Sequence, residues 1–173
     1  MAYKYQENNT FKKIKMNKIF RIILLVVTCL AVGYISSMVT RTGVTTWFPT
    51  IEKPIFNPPS WVFAPVWTML YIMMGIAGGL VWNQMEFEKE TVKKALLFFA
   101  TQLFLNALWS YLFFGLHNPL LAFLEIIILW LMIFETYTQF AKINKIAGYL
   151  FIPYIAWVSF ATVLNGSIWW LNR

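Results

Sequence analysis

Residues 47–79 read WFPTIEKPIFNPPSWVFAPVWTMLYIMMGIAGG, a proline-rich loop that runs into a helix without a single charge. Pro49, Pro54, Pro58, Pro59 and Pro65 are five of the seven prolines in the chain. Proline locks φ and biases the preceding residue towards extended backbone, so this loop is expected to be a shaped lid rather than a loose linker. The helix that follows carries Trp61, Trp67 and Tyr71. The stretch reads as the roof and first wall of a chamber that the remaining helices complete.

Composition names the solvent. The 173 residues are 60% apolar and only 12% charged, whereas a soluble domain is roughly 45–50% apolar. Lipid is the environment that accepts this much apolar surface. A bilayer-spanning helix needs about 20 mostly apolar residues, and the stretches 22–39, 61–82, 95–115, 119–138 and 146–170 meet that requirement. The expected fold is an all-α integral membrane protein, a five-transmembrane-helix bundle over residues 22–172, with a lid at 40–60 and a basic tail at 1–21. Basic residues before the first span also suit a signal peptide, but the apolar run is long and no clear A-x-A cleavage site follows it.

Charge sets the orientation. Lys4, Lys12, Lys13, Lys15, Lys18 and Arg21 precede the first span, Lys89, Lys93 and Lys94 lie in the second loop, and Lys142 and Lys145 in the fourth. Only Arg41, Lys53 and Arg173 fall on the other side. By the positive-inside rule the N-terminus and these two loops are cytoplasmic, while the lid, the turn at 116–118 and the C-terminus share the opposite face. A bacterial cytoplasmic membrane is the expected location. The net charge of +7 is spread over tails and loops, which leaves no basic face for nucleic acid.

Conventional catalytic chemistry is excluded by counting. Cys29 is the only cysteine, His117 the only histidine, and there is no aspartate, so no intrachain disulfide, ordinary metal site or hydrolytic triad is expected. No GxSxG, HExxH, Walker or GxGxxG motif occurs. His117, on the short lid-side turn, suits either a haem-iron ligand or an ordinary loop residue. No obligatory cofactor is expected.

The intramembrane polar residues collect at one depth. Gln102, Asn106, Ser110, Glu125 and Asn165 all lie in the lid-side half of their spans or at its edge. Polar groups are expensive in lipid and face a bundle interior or a cavity. Gln102, Asn106 and Trp109 are spaced four and three apart and share a helical face; Tyr154, Trp157, Ala161 and Asn165 form a second stripe. Ala161 leaves room for a flat ligand or a close helix contact. For each residue the alternative is a plain interhelical hydrogen bond. Glu125 sits about two turns inside lipid, where desolvation disfavours its charge; it is either a ligand-contacting acid or a structural hydrogen-bonder. Among nine tryptophans, Trp61, Trp82, Trp169 and Trp170 mark span ends as an aromatic belt. Trp67, Trp109, Trp130 and Trp157 lie deeper, and Trp47 is in the lid; indoles of this kind stack on a planar aromatic ligand. Gly75 and Gly79 form a GxxxG pair, suited to close helix approach within the bundle or between protomers.

Three blocks carry a resemblance. WFPTIEKPIFNPPSWVFAPVWTMLYIMMG (47–75), QLFLNALWSYLFFG (102–115) and PYIAWVSFATVLN (153–165) are similar to the TspO/MBR family of tryptophan-rich sensory and translocator proteins, also called the peripheral benzodiazepine receptor. The resemblance covers about residues 22 to 172. It implies a five-helix membrane bundle, often a homodimer, binding porphyrins, haem and synthetic aromatic ligands beneath the first loop. It aligns the family's loop and pocket tryptophans with Trp47, Trp67, Trp109 and Trp157, its pocket alanine with Ala161, its fourth-helix acid with Glu125 and its asparagines with Asn106 and Asn165. Phe56, Phe113 and Tyr154 join the ligand-binding set. Some bacterial members degrade protoporphyrin with light and oxygen, an activity tied to the tryptophans at Trp67 and Trp157. Two departures stand out. Where the family reads K-P-S-W, this chain has Lys53-Pro54-Ile55-Phe56, and Leu164-Asn165-Gly166-Ser167 lacks the tyrosine of the animal cholesterol pattern. A tetrapyrrole receptor or transporter, a porphyrin-degrading enzyme and a non-catalytic membrane scaffold are the three functional expectations.

Overall fold

In the computed structural model, which describes residues 17–173, Asn17 starts the first helix. Its side-chain oxygen accepts the Ile19 N–H at 3.1 Å, satisfying one of the free donors of a helix N-terminus. The basic residues Lys4, Lys12, Lys13 and Lys15 lie outside the described residues. Helix α1 spans Lys18–Thr46, 29 residues, longer than the expected 22–39. Its last turns stay helical although they are polar, and there Thr45 and Thr46 turn their hydroxyls inward, donating to Arg41 O (3.0 Å) and Thr42 O (2.8 Å) on their own helix. The lid is correspondingly shorter, and Pro49 falls in a 3-10 turn at Phe48–Thr50.

Helix α2 spans Ser60–Trp82, and α3 spans Lys89–Ser110 and continues as a π-helical turn at Tyr111–Gly115. Asn118 caps α4, Pro119–Ile143, by accepting the Leu121 N–H at 3.0 Å. Pro119 occupies the first helical position, where its missing N–H costs nothing. The fifth span is broken. A short helix α5, Lys145–Tyr149, turns at Leu150 and Phe151 into α6, Ile152–Leu171. Pro153 in the first turn of α6 cannot donate back to the preceding helix, which accounts for the break.

Five segments among the described residues are long and apolar enough to cross a membrane: Lys18–Thr50, Ser60–Trp82, Lys89–Gly115, Pro119–Ile143 and Lys145–Leu171. The protein is an all-helical, multi-pass membrane protein. Large apolar side chains crowd its outer surface, with Ile23, Val27, Phe104, Leu124 and Val163 all exposed. That pattern suits lipid rather than water as the surrounding medium.

The helices close on one another in a set order: α1 packs on α2 and α3, α3 on α4, and α4 on α6. Glycine sets the first of these contacts. A Cβ at Gly75 would meet Val26 Cα, and one at Gly79 would fall 2.5 Å from Ile22 Cα. The GxxxG pair is thus spent inside the protomer, where it lets α1 and α2 touch backbone to backbone. At the end away from the lid, Arg21 donates to Trp82 O (3.2 Å) and pairs with Glu86 (3.6 Å), tying the start of α1 to the end of α2.

The lid is tied down as well. Glu52 N–H donates to Asn172 Oδ1 and Asn172 Nδ2 donates to Glu52 O, both at 2.9 Å. These reciprocal bonds join the middle of the loop to the end of α6. Phe48 anchors the start of the loop in a core cluster with Phe113, Ala122, Leu164 and Ile168.

Candidate functional site

The sequence-expected residues assemble into three neighbouring layers. The outermost belongs to Trp47. Its ring lies edge-on to Phe113 with centroids 5.5 Å apart and stacks on His117 at 4.8 Å. His117 holds φ = 52°, the one positive φ among the described non-glycine residues. That left-handed residue turns the chain sharply from the π-helical segment into α4 and presents the imidazole to the lid. His117 therefore acts here as a stacking partner of Trp47, and no cluster of three metal-ligating side chains occurs among the described residues.

The next layer centres on Trp109. Its indole stacks on Phe113 at 5.2 Å, and its Nε1–H donates to Asn165 Oδ1 at 3.0 Å. Asn165, fully buried, donates in turn to Pro119 O at 2.8 Å. One asparagine thereby joins α3, α4 and α6. A carbonyl oxygen has two lone pairs, so Pro119 O accepts this bond as well as one within its own helix.

The third layer is polar and lies at mid-depth. Tyr71 O–H donates to Asn106 Oδ1 at 2.5 Å, Asn106 Nδ2 donates to Tyr154 OH at 3.0 Å, and Tyr154 O–H donates to Gln102 Oε1 at 3.1 Å. Gln102 Nε2 faces the Met74 sulfur at 3.8 Å. All of these side chains are buried, so each bond is retained at the full cost of desolvating its partners if broken. This network runs across α2, α3 and α6.

Trp67 and Trp157 share a seam. Trp67 packs on Tyr71 (5.7 Å) and edge-on to Tyr154 (6.2 Å), while Trp157 packs edge-on to Phe63 (6.0 Å) and against Phe160 (5.7 Å). Phe63, Trp67 and Tyr71 are spaced by four along α2 and so lie on one face. Phe63 meets Trp157 and Trp67 meets Tyr154 of α6 ring to ring, and backbone approach is sparser here than between α1 and α2, α3 and α4, or α4 and α6. Aromatic side chains thus span the α2–α6 seam. Phe56 from the lid covers it from above, edge-on to Phe160 at 6.3 Å, and is itself exposed. Ala161, half-buried, packs beside this seam against the main core.

Glu125 stands apart from these pairings. It is only 6% exposed, yet neither carboxylate oxygen has a hydrogen-bond partner. Of the other intramembrane polar groups, Trp130 donates to Ser159 Oγ at 2.8 Å and joins α4 to α6. Glu135 accepts from Gln139 on its own helix at 2.6 Å.

A groove of about 660 Å³ opens elsewhere, on the outer face between α4 and α6, lined by Phe123, Thr162, Gly166, Trp169 and Trp170. The expected ligand-binding residues do not line it. They fill the interior with their own rings, stacked from Trp47 downward. Sequence reasoning passed over four contributors. Tyr71 carried a readable signal, four residues after Trp67 on the same face. Phe63 and Phe160 are apolar residues in apolar helices and carried none. Asn172, a polar residue at the chain's end, became meaningful only when the fold set it beside the lid.

Over residues 25–171 the chain matches the model of the TspO/MBR family. It is 43% identical over 158 residues to the tryptophan-rich protein TspO of Chlorobaculum tepidum, covering 91% of this chain and 99% of that one. It is 37% identical over 126 residues to the tryptophan-rich sensory protein of Cereibacter sphaeroides, covering 73% of this chain and 77% of the other. With the translocator protein of Ovis aries it shares 34% identity over 142 residues, covering 82% and 83%.

Proposed function

Because the chain belongs to the TspO/MBR family, we propose that it is a membrane receptor or sensor for porphyrins, haem and similar planar aromatic molecules. One observation carries this reading. Rings bridge the seam between α2 and α6, with Phe63 and Trp67 of α2 against Trp157 and Tyr154 of α6, beneath a lid tied at Asn172. Rings part by rotating about χ1 and χ2, a far smaller change than separating packed backbones, and a flat ligand replaces ring–ring contacts with contacts of the same kind. The charge distribution of the loops supports a lid facing away from the cytoplasm, so a ligand enters from that side.

The test is a titration of protoporphyrin into the purified chain, followed by the Soret absorbance. Saturable binding that weakens at least about tenfold in the Trp67→Phe, Trp157→Phe double variant is expected, on the scale of lost stacking at two indoles. Binding unchanged by the double replacement removes the seam as the site.

A second reading, light- and oxygen-dependent breakdown of the bound ring, is favoured by one contact. Trp67 lies against both Tyr71 and Tyr154, so an oxidised indole has two phenols beside it as electron donors. Loss of the Soret band on illumination no faster than in detergent alone would rule this out.

A further inference from the structure

We propose that the outward groove between α4 and α6 holds one anionic phospholipid of the surrounding bilayer, with an acyl chain along the groove and the headgroup at Arg173. The site lies outside the ring-lined interior and is independent of what binds there.

The sequence makes the hollow. Gly166 has no side chain, and a Cβ there would fall 2.8 Å from the Phe123 ring of α4. That ring stacks on Trp169 of α6 with centroids 5.8 Å apart. The two rings form a wall, and Gly166 leaves the space beside it unfilled. Pro54 of the lid also lines this part of the groove, about 660 Å³ in volume. A second hollow of about 260 Å³, lined by Ile127, Trp130, Leu131 and Ser159, meets the first at Thr162, which lines both. Together they follow α6 from Trp170 to Ser159, a rise of about 16 Å. The hydrocarbon core of a bilayer is roughly 30 Å thick, so the groove has the depth of one leaflet. That length suits a single acyl chain whose headgroup lies at the lid-side interface, where Trp169 and Trp170 mark the boundary.

Hydrogen bonding makes the groove dry. Thr162 Oγ1 donates to Val158 O and Ser159 Oγ to Ile155 O, both at 2.8 Å. Ser167 Oγ donates to Val163 O at 2.9 Å, and Trp130 Nε1 donates to Ser159 Oγ at 2.8 Å. Below the interface tryptophans, each side-chain donor in the walls is already committed. A ligand with polar groups along its length would lose its water there without replacement, whereas hydrocarbon loses nothing.

Charge then selects the headgroup. The Arg173 guanidinium lies 3.1 Å from the ring centroid of Trp170, a wall of the groove. It makes no ion pair among the described residues. A guanidinium stacked on an indole keeps its N–H fork for phosphate oxygens. The lid brings Glu52 and Lys53 to the same end, one charge of each sign. Lys53 Nζ donates to Ile51 O at 2.7 Å and lies over the Phe48 ring, so it is turned into the lid. Arg173 is left to meet the headgroup.

The experiment titrates the full chain in detergent with dioleoylphosphatidylglycerol and, separately, dioleoylphosphatidylcholine, and counts bound lipid by native mass spectrometry. The acyl chains are identical, so the difference reads the headgroup. One lipid retained per chain is expected, with the anionic one bound about fivefold tighter, the scale of one basic residue at a membrane surface. Arg173→Gln should reduce that preference below about twofold. Arg41→Gln removes an exposed cation of the same membrane face that does not line the groove, and should leave the preference intact. Thr162→Phe fills the junction of the two hollows and should weaken both lipids about tenfold, the loss of roughly two buried methylenes. Arg173 lies beyond the end of α6, so its variant carries the test if Thr162→Phe misfolds. The proposal is overturned if no lipid is retained, if the two lipids bind equally, or if Arg173→Gln changes nothing. It is equally overturned if Arg41→Gln abolishes the preference as well, or if cholesterol displaces the phospholipid. A dimer that Thr162→Phe dissociates without changing the lipid count would put a second copy of this chain in the groove instead.

Discussion

Replacing Asn172 with alanine should unlatch the lid. Glu52 N–H and Asn172 Oδ1 lie 2.9 Å apart, and the return bond from Asn172 Nδ2 to Glu52 O has the same length. Alanine removes both. It also removes the side-chain bond to Ile168 O, but that carbonyl keeps the Asn172 backbone N–H at 3.2 Å, so the helix end loses little. Both lid bonds are at the surface, where water replaces them, which sets each near the middle of the usual net range. Together they contribute about 2 kcal/mol, a shift of roughly 30-fold towards the open lid. Phe48 stays buried and holds the start of the loop, so the opening is confined to the residues that follow it. Amide hydrogen exchange at Glu52 reads this directly, because that N–H is protected by Asn172 alone. Exchange should accelerate by about the same factor, within the relation between local opening and protection. Asn172→Asp retains the acceptor and loses the donor, so an intermediate rate is expected. If Glu52 exchanges equally fast in all three proteins, the latch does not hold the lid and the reasoning fails.

Three further outcomes follow from the packing. Gly79→Val forces a branched side chain onto the Ile22 backbone; it should destabilise by about 3 kcal/mol, lowering the melting temperature by roughly 5–10 °C, with the oligomeric state unaltered. A variant that instead lost only self-association would assign the GxxxG pair to a dimer contact. Trp109→Phe preserves the stack on Phe113 but leaves Asn165 Oδ1 buried without its donor, at a cost of about 1–3 kcal/mol measured by thermal unfolding. Tyr154→Phe strands both Asn106 Nδ2 and Gln102 Oε1, and a double-mutant cycle with Asn106→Ala should show coupling of about 1 kcal/mol or more; additive effects would mean that the network is not cooperative.

The five spans were readable because hydropathy accumulates locally: residues 61–82 announce a spanning helix whatever lies beside them. Their ends were less readable. The threonines at 40–46 look like loop, yet α1 runs through them, seven residues past 39, with the hydroxyls of Thr40, Thr45 and Thr46 bonded to its own carbonyls. Pro153 was a visible signal for the break between α5 and α6, but a 25-residue apolar run concealed it. Asn106 and Asn165 were rightly marked as inward-facing from their spacing. What each would bond to was not readable, because Tyr154 lies 48 residues from Asn106 and Trp109 lies 56 from Asn165.

By itself the sequence determined the solvent, the number of crossings and the depth of the polar residues, since all three follow from composition counted along one chain. It also marked residues 47–79 as roof and wall, through prolines and rings that act locally. Only the tertiary structure decided how those parts meet. The Gly75–Gly79 pair went to α1 rather than to another copy, and aromatic rings met across the α2–α6 seam. Asn172 became the lid's anchor, and Glu125 was left without a partner. Each of these depends on which helix faces which, and that lateral order is set by the joint packing of all the helices at once, beyond the reach of any pattern within one of them.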